Sequence, residues 1–270
     1  MAVQALGLCR FSYLGEGGYQ TAQDTLEDRR RHLYDERNLA RRFRWFEHLC
    51  LPSWAAQTDP DYRLILLTGT DFPSEWLERL RDLVSPLPQI VIEQRPPGPH
   101  RQVCREVFLR HVDRRAQIVA AFRHDDDDAV AIDYVARAKG DFRTLVAPLF
   151  AANPLVALDY SRGFLIGEVD GQFRCLPRLV HCLGIALTLY MPRGHRRSPL
   201  DYGHHRLSSF MPGLWLQDSV MYLRGMHSLN DSGGSPRLGQ PFDLPEAAHA
   251  DVIRERFAIN LDTLPARLAG

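Results

Sequence analysis

The chain has 270 residues and a formal net charge of zero, from 33 Lys plus Arg against 33 Asp plus Glu. That balance argues against a dedicated nucleic-acid binder, which carries a basic excess. At 45% hydrophobic and 24% charged residues, the composition excludes disordered, collagenous and coiled-coil classes. Five cysteines (Cys9, Cys50, Cys104, Cys175, Cys182) at wide spacings, with no C-x-x-C pair, fit buried thiols in a reducing compartment rather than a disulfide frame or zinc ribbon. The pair His181-Cys182 lies between apolar flanks and reads as core packing rather than a metal site. No apolar run reaches the ~20 residues needed to cross a bilayer, and the first ten residues lack a charged signal-peptide n-region. The expectation is a cytoplasmic protein without a transmembrane segment, for which peripheral membrane contact stays open.

In chain order, residues 3–8 form a short apolar run and predict a buried strand. A glycine-bearing loop around Gly15, Gly17 and Gly18 follows. Leu26, Leu33, Leu39, Phe43, Phe46 and Leu49 recur at helical spacing and predict one helix over residues 25–50. Asp24 would cap it, Pro52 would mark its end, and its arginines (Arg29 to Arg44) would face water. Residues 62–68 predict a second strand, 74–84 a helix, 89–93 a third strand, 102–112 a helix and 117–122 a fourth strand. This alternation implies βαβ units and a mostly parallel sheet. Beyond Asp128 the pattern loosens. A helix over 132–137 closed by Gly140, strands at 155–159 and 163–168, a hairpin turn at Asp170-Gly171, loops at 192–205 and 228–240, and a helical tail over 245–264 are expected.

The fourth strand runs into Arg123-His124-Asp125-Asp126-Asp127-Asp128. Four adjacent carboxylates repel one another unless counter-charged. A solvated acidic turn is the plain alternative, but the cluster sits at the carboxyl end of a buried strand, where open α/β sheets bind ligands. Alternate residues share a face, so Asp125 and Asp127 can converge on a hard divalent cation, Mn²⁺ or Mg²⁺, whose remaining shell would be water and substrate phosphate. Arginine, 32 of the 33 basic residues, supplies guanidinium forks that suit phosphate.

The strand, the Asp-x-Asp pair, two apolar residues and Asp133-Tyr134 resemble the signature of GT-A glycosyltransferases, with Ile132 where proline is common. Arg123-x-Asp-Asp-Asp-Asp-Ala129, Arg10-Phe11-Ser12-Tyr13, Leu49-Cys50-Leu51-Pro52-Ser53-Trp54 and Trp215-Leu216-Gln217 resemble, more narrowly, the bacterial rhamnosyltransferase family, over about residues 10–231. The resemblance implies one GT-A-like (Rossmann-like) domain over residues 1–270, with a mostly parallel central sheet flanked by helices. Residues 1–140 would be the nucleotide-sugar-binding half and 141–270 a mixed acceptor-side half. It implies transfer of a sugar, rhamnose among the candidates, from a nucleotide-diphosphate donor to a glycan or lipid-linked acceptor.

It also implies roles. Asp125, Asp127 and a late histidine, His227, would hold the cation. Arg10, Ser12, Thr68, Arg105, Arg123, Asp126, Asp128 and Asn230 would line the nucleotide-sugar site. Asp218, ahead of a short helical pattern, would be the general base, with a helix N-cap as its ordinary alternative. His204-His205-Arg206 reads as a surface loop or an acceptor contact. Two other readings stay open. A nucleotidyltransferase of similar fold would need a Gly-rich phosphate loop that this sequence lacks, and a non-catalytic relative would keep only nucleotide and metal binding.

Overall fold

The structure, a computed structural model, describes residues 1–17, 25–227 and 237–269. Asp24 and Asn230 lie outside the described residues. The first half carries β1 (Val3–Arg10), β2 (Gly15–Glu16), α1 (Leu26–Leu33), α2 (Glu36–Trp45), α3 (Leu51–Ala55), β3 (Tyr62–Gly69), α4 (Ser74–Val84), β4 (Ile90–Arg95), β5 (Gly98–Pro99), α5 (His100–Arg110), β6 (Ile118–His124) and β7 (Asp128–Val130). The second carries α6 (Tyr134–Asp141), α7 (Ala147–Ala152), β8 (Val156–Tyr160), β9 (Arg162–Val169), β10 (Gln172–Leu179), β11 (Leu187–Pro192), β12 (Gly213–Leu216), β13 (Tyr222–Met226), β14 (Gln240–Pro241), α8 (His249–Phe257) and α9 (Leu264–Ala269).

Seven strands form the main sheet in the order β12-β8-β11-β6-β1-β3-β4. Strands β6, β1, β3 and β4 are mutually parallel, and β11 runs antiparallel to both β6 and β8. Two reversals restore the direction, so β8 and its parallel neighbour β12 end on the same edge as β1, β3 and β6. That common carboxyl edge is where the candidate residues gather. A second sheet, β14-β10-β9-β13-β7, takes over directly after the aspartate turn.

Both faces of the main sheet are covered, which is why its strands read as unbroken apolar runs. In β1, Leu6 and Leu8 pack to one side and Ala5 and Cys9 to the other. Gly7 sits where a Cβ would come within 2.0 Å of the Phe122 ring, so the β1–β6 pair needs glycine there. Leu39, Phe43 and Phe46 are fully buried, and the Phe11 ring meets Phe43 and Phe46 edge-on with centroids 5.1 Å apart. Each such side chain contributes about 1.5–3 kcal/mol of burial.

The single helix expected over residues 25–50 is divided. Thr25 caps α1 by accepting from the Asp28 N–H, and Asp35 caps α2 by accepting from the Arg37 and Asn38 N–H groups. The chain does not stop at Pro52. A π-helical turn, Phe46–Cys50, leads into α3, with Pro52 in its first turn, where a missing N–H costs little. Likewise Gly140 closes nothing: α6 continues through a second π-helical turn, Phe142–Val146, into α7. The Asp170-Gly171 hairpin is present, with both residues at positive φ (52° and 71°) as a tight β-turn demands. The helix expected after Asp218 does not form, because the chain there turns into β13.

Candidate active site

The aspartate turn begins where β6 leaves the sheet, and the Asp125 carbonyl accepts from the Asp128 N–H at 3.2 Å to close it. Alternation holds. Asp126 and Asp128 point inward and are 4% exposed, while Asp125 and Asp127 are only partly covered.

Each carboxylate has its own partner. Asp125 Oδ2 accepts from Arg123 at 2.8 Å, and Arg10 approaches its other oxygen at 3.7 Å. Burial alone would raise its pKa, but Arg123 and Arg10 outweigh that and hold it below the ordinary range, so Asp125 is ionised at neutral pH. Asp126 takes both oxygens to one Arg42 nitrogen, at 2.8 and 2.6 Å. Burial pushes the Asp126 pKa up against the pull of Arg42, and with the repulsion of Asp127 it settles at about 6. Asp128 accepts from the Gly225 N–H at 3.2 Å, and burial, then Asp127, drives its pKa well above the usual value. The Asp127 carboxylate accepts from His227 Nε2 at 2.8 Å.

His227 is delivered by β13, which pairs antiparallel with β7 and so returns to the turn. Its ring lies 4.8 Å from that of Trp45 at the end of α2. Gly225 makes the approach possible, since a Cβ there would lie 2.3 Å from the Asp127 carbonyl and 2.8 Å from Trp45. Under the turn, His124 is buried beside Cys50, with Nε2 3.3 Å from Sγ, and burial lowers its pKa to about 4, so it is neutral. The structure thus brings five of the candidate residues together in two groups, Asp125 with Arg10 and Arg123, and Asp127 with His227.

Others are placed differently. Ser12 (φ 51°) and Thr68 are buried at the ends of β1 and β3, and among the described residues neither hydroxyl has a hydrogen-bond partner. Arg105 grips Asp201 through two nitrogens, at 2.5 and 3.1 Å, which engages its charge within the protein. Asp218 pairs with Arg137 at 2.8 Å and is otherwise open, its side chain 60% exposed. His204 Nδ1 donates to the Cys182 carbonyl at 2.6 Å. His181 is no core residue: it is exposed and bonded through Nδ1 to Ser161 Oγ at 2.9 Å.

Arg42, which the sequence pattern places on a solvated arginine face, is instead the counter-charge of Asp126. The signal was present, since Arg42 follows Leu39 by three residues and precedes Phe46 by four, on the flank of the buried stripe.

No grouping of three His, Cys, Asp or Glu side chains at metal-binding spacing occurs among the described residues. The chain itself offers two donors that fit a hard cation, the Asp127 carboxylate and the His227 ring nitrogen, once the proton between them leaves.

The α/β sheet, flanked by helices, thus carries the carboxylate turn on its carboxyl edge. Residues 4–237 match the model of the family described as "Putative rhamnosyl transferase", and the chain belongs to that family. No curated protein matches the chain significantly. Among solved structures, S. aureus TarS residues 1–349 in complex with UDP is similar at 10% identity and a TM-score of 0.42, covering 84% of this chain and 61% of that one. A structure of S. aureus TarS is similar at 13% identity and a TM-score of 0.40, covering 86% of this chain and 38% of that one. The chain therefore spans less than two thirds of the length of these structures. No helix among the described residues is long and apolar enough to cross a membrane.

Proposed function

We propose that the protein is a metal-dependent glycosyltransferase that moves a sugar, rhamnose among the candidates, from a nucleoside-diphosphate donor to a glycan or lipid-linked acceptor. The observation that supports this most is the division of labour in the aspartate turn. Asp126 and Asp128 are committed to the interior, while Asp125 and Asp127 remain at the crevice, one beside two arginines and the other beside a histidine.

In this reading Asp127 and His227 hold Mn²⁺ or Mg²⁺, and diphosphate oxygens and water complete the shell. When bound, the cation neutralises negative charge developing on the leaving diphosphate. Arg10 and Arg123 are positioned to exchange part of their contact with Asp125 for phosphate oxygens, because a guanidinium serves carboxylate and phosphate with the same fork. Asp125 keeps its charge throughout and can accept from a ribose hydroxyl. Among the described residues the buried hydroxyls of Ser12 and Thr68, which follow β1 and stand near the end of β3, have no hydrogen-bond partner. Trp45, packed on His227, holds the ring whose Nε2 would have to be free of its proton for a cation to be held there beside the Asp127 carboxylate.

The test follows release of nucleoside diphosphate from dTDP-, UDP- and GDP-sugars with and without Mn²⁺. Release that requires the metal and is lost in Asp127→Ala supports the reading. A folded protein that releases none from any donor, with or without metal, contradicts it.

A further inference from the structure

A second polar array stands on the same sheet edge, where β8 ends. Asp159 is the penultimate residue of that strand and is 1% exposed. Its Oδ2 accepts twice, from Ser161 Oγ at 2.7 Å and from the Cys182 N–H at 2.9 Å. Ser161 Oγ in turn lies 2.9 Å from His181 Nδ1, and Ser161 is fully buried whereas His181 is exposed.

Proton counting fixes the ring. A serine hydroxyl has one hydrogen, and here the carboxylate accepts it. Ser161 can therefore meet His181 only as an acceptor, so Nδ1 carries the ring proton. In a neutral ring, Nε2 then bears the lone pair. Burial raises the Asp159 pKa to about 6, still low enough for the carboxylate to predominate at neutral pH.

The surrounding loop is held in a constrained conformation. Cys182 and Ala186 both hold positive φ (53° and 50°), around Gly184 at 94°. Side-chain-bearing residues adopt that conformation only when held there, and the Asp159–Cys182 bond holds the first. The same loop reaches the aspartate turn: a Cβ on Gly184 would lie 3.5 Å from Arg123 Nε, and Arg123 holds Asp125. Trp215 stands opposite Asp159 in the β8–β12 register, hydrogen-bonds the Cys182 side chain, and is 45% exposed. An exposed tryptophan that bonds Cys182, the residue after His181, offers a face on which a hydroxyl-bearing ring can stack.

We propose that His181 is the proton acceptor for the attacking hydroxyl, with Ser161 and Asp159 as positioning residues and Trp215 as the platform for the acceptor. This rests on the glycosyl-transfer reading above. In the step, the hydroxyl oxygen bonds to the anomeric carbon as its proton passes to His181 Nε2. The bond from that carbon to the diphosphate breaks, and its electron pair leaves with the diphosphate. Asp218, the base suggested by chain order, is instead paired with Arg137.

The test uses the full chain with dTDP-rhamnose and UDP-glucose as probe donors and water or free rhamnose as acceptor. His181→Ala should lower turnover by about 100-fold or more, keep the melting-temperature rise given by dTDP or UDP, and regain part of its rate with added imidazole. Long-range ¹⁵N–¹H spectra should show His181 as the Nδ1–H tautomer, and Ser161→Ala should shift it toward Nε2–H, a change that loss of packing alone would not produce. An Nε2–H ring in the wild-type protein, or a His181→Ala rate equal to wild type, overturns the assignment and leaves glycosyl transfer standing. A wild-type protein that responds to no nucleotide overturns the glycosyl-transfer reading, and this one with it. If neither donor turns over, the tautomer decides.

Discussion

Two loops on one sheet edge handle buried carboxylates in opposite ways. After β6, four consecutive aspartates are separated by direction and given charged or strongly polar partners: Arg10 and Arg123 for Asp125, Arg42 for Asp126, His227 for Asp127 and the Gly225 amide for Asp128. At the end of β8, a single aspartate is surrounded by neutral donors, a hydroxyl and an amide, and uses its charge to orient a serine and a histidine. The first arrangement keeps counter-charges at the crevice that an incoming diphosphate and cation can take over. The second holds one proton in place. A ligand site and a proton-transfer site need these different treatments.

The sharpest way to break the contrast is to remove the ligand-facing carboxylate after β6. Asp127→Ala is expected to lower metal-stimulated nucleoside-diphosphate release by at least about 1000-fold, a loss of several kcal/mol of charge stabilisation, while far-UV circular dichroism stays unchanged.

Next comes the aspartate at the end of β8. Its folded pKa of about 6 lies above the ordinary 3.8. The folded chain therefore holds this proton more tightly than the unfolded chain, and the contribution of Asp159 to stability falls as pH rises from about 4 to about 6. In Asp159→Asn that fall is absent. The difference in unfolding free energy, variant minus wild type, should rise by about 2–2.5 kcal/mol between pH 4 and 7, read from urea titrations. A flat difference would show that Asp159 is solvated.

Arg42→Ala strips Asp126 of its counter-charge. Breaking a buried pair costs about 3–5 kcal/mol. Because the Asp126 pKa already stands at about 6, the carboxyl can escape by taking up a proton, and the loss at pH 7 should be nearer about 2–3 kcal/mol. It should shrink further at pH 5. Gly225→Ala pushes a methyl against the Asp127 carbonyl and Trp45 and should cost about 1–3 kcal/mol, with a larger proportional loss of metal response than of stability. The smallest effect belongs to Asp218→Ala. An exposed ion pair contributes less than about 1 kcal/mol, so its melting temperature should barely move.

The parts of the molecule legible in the sequence are those whose cause is local. Strands β1, β3 and β6 are covered on both faces and show as apolar runs, and α4 carries its own amphipathic pattern, so its bounds match at residues 74–84. Strands β11, β12 and β13 are short and owe their existence to partners distant in sequence, which is why the stretch after Asp218 misread as helical. The aspartate turn stood out because like charges in a row demand an explanation. Arg42 did not, since an arginine among many looks solvated until its target, 84 residues away, is in place. His181 was hidden by apolar neighbours. Leu183 and Ile185 are buried as those neighbours suggest, but His181 is exposed beside Cys182 at positive φ, and neither that strain nor its cause is written in the local sequence.

The central claim is that the Asp125–Asp128 turn with His227 receives a metal-bound nucleoside diphosphate. The most direct measurement is thermal unfolding of the full chain with UDP, dTDP, GDP or CMP, each with and without Mn²⁺, in wild type and Asp127→Ala. A ligand bound only by the native state raises the midpoint by mass action. The account predicts a rise with at least one nucleoside diphosphate that depends on Mn²⁺ and is lost in Asp127→Ala. A folded wild-type protein whose midpoint none of these ligands moves would contradict it.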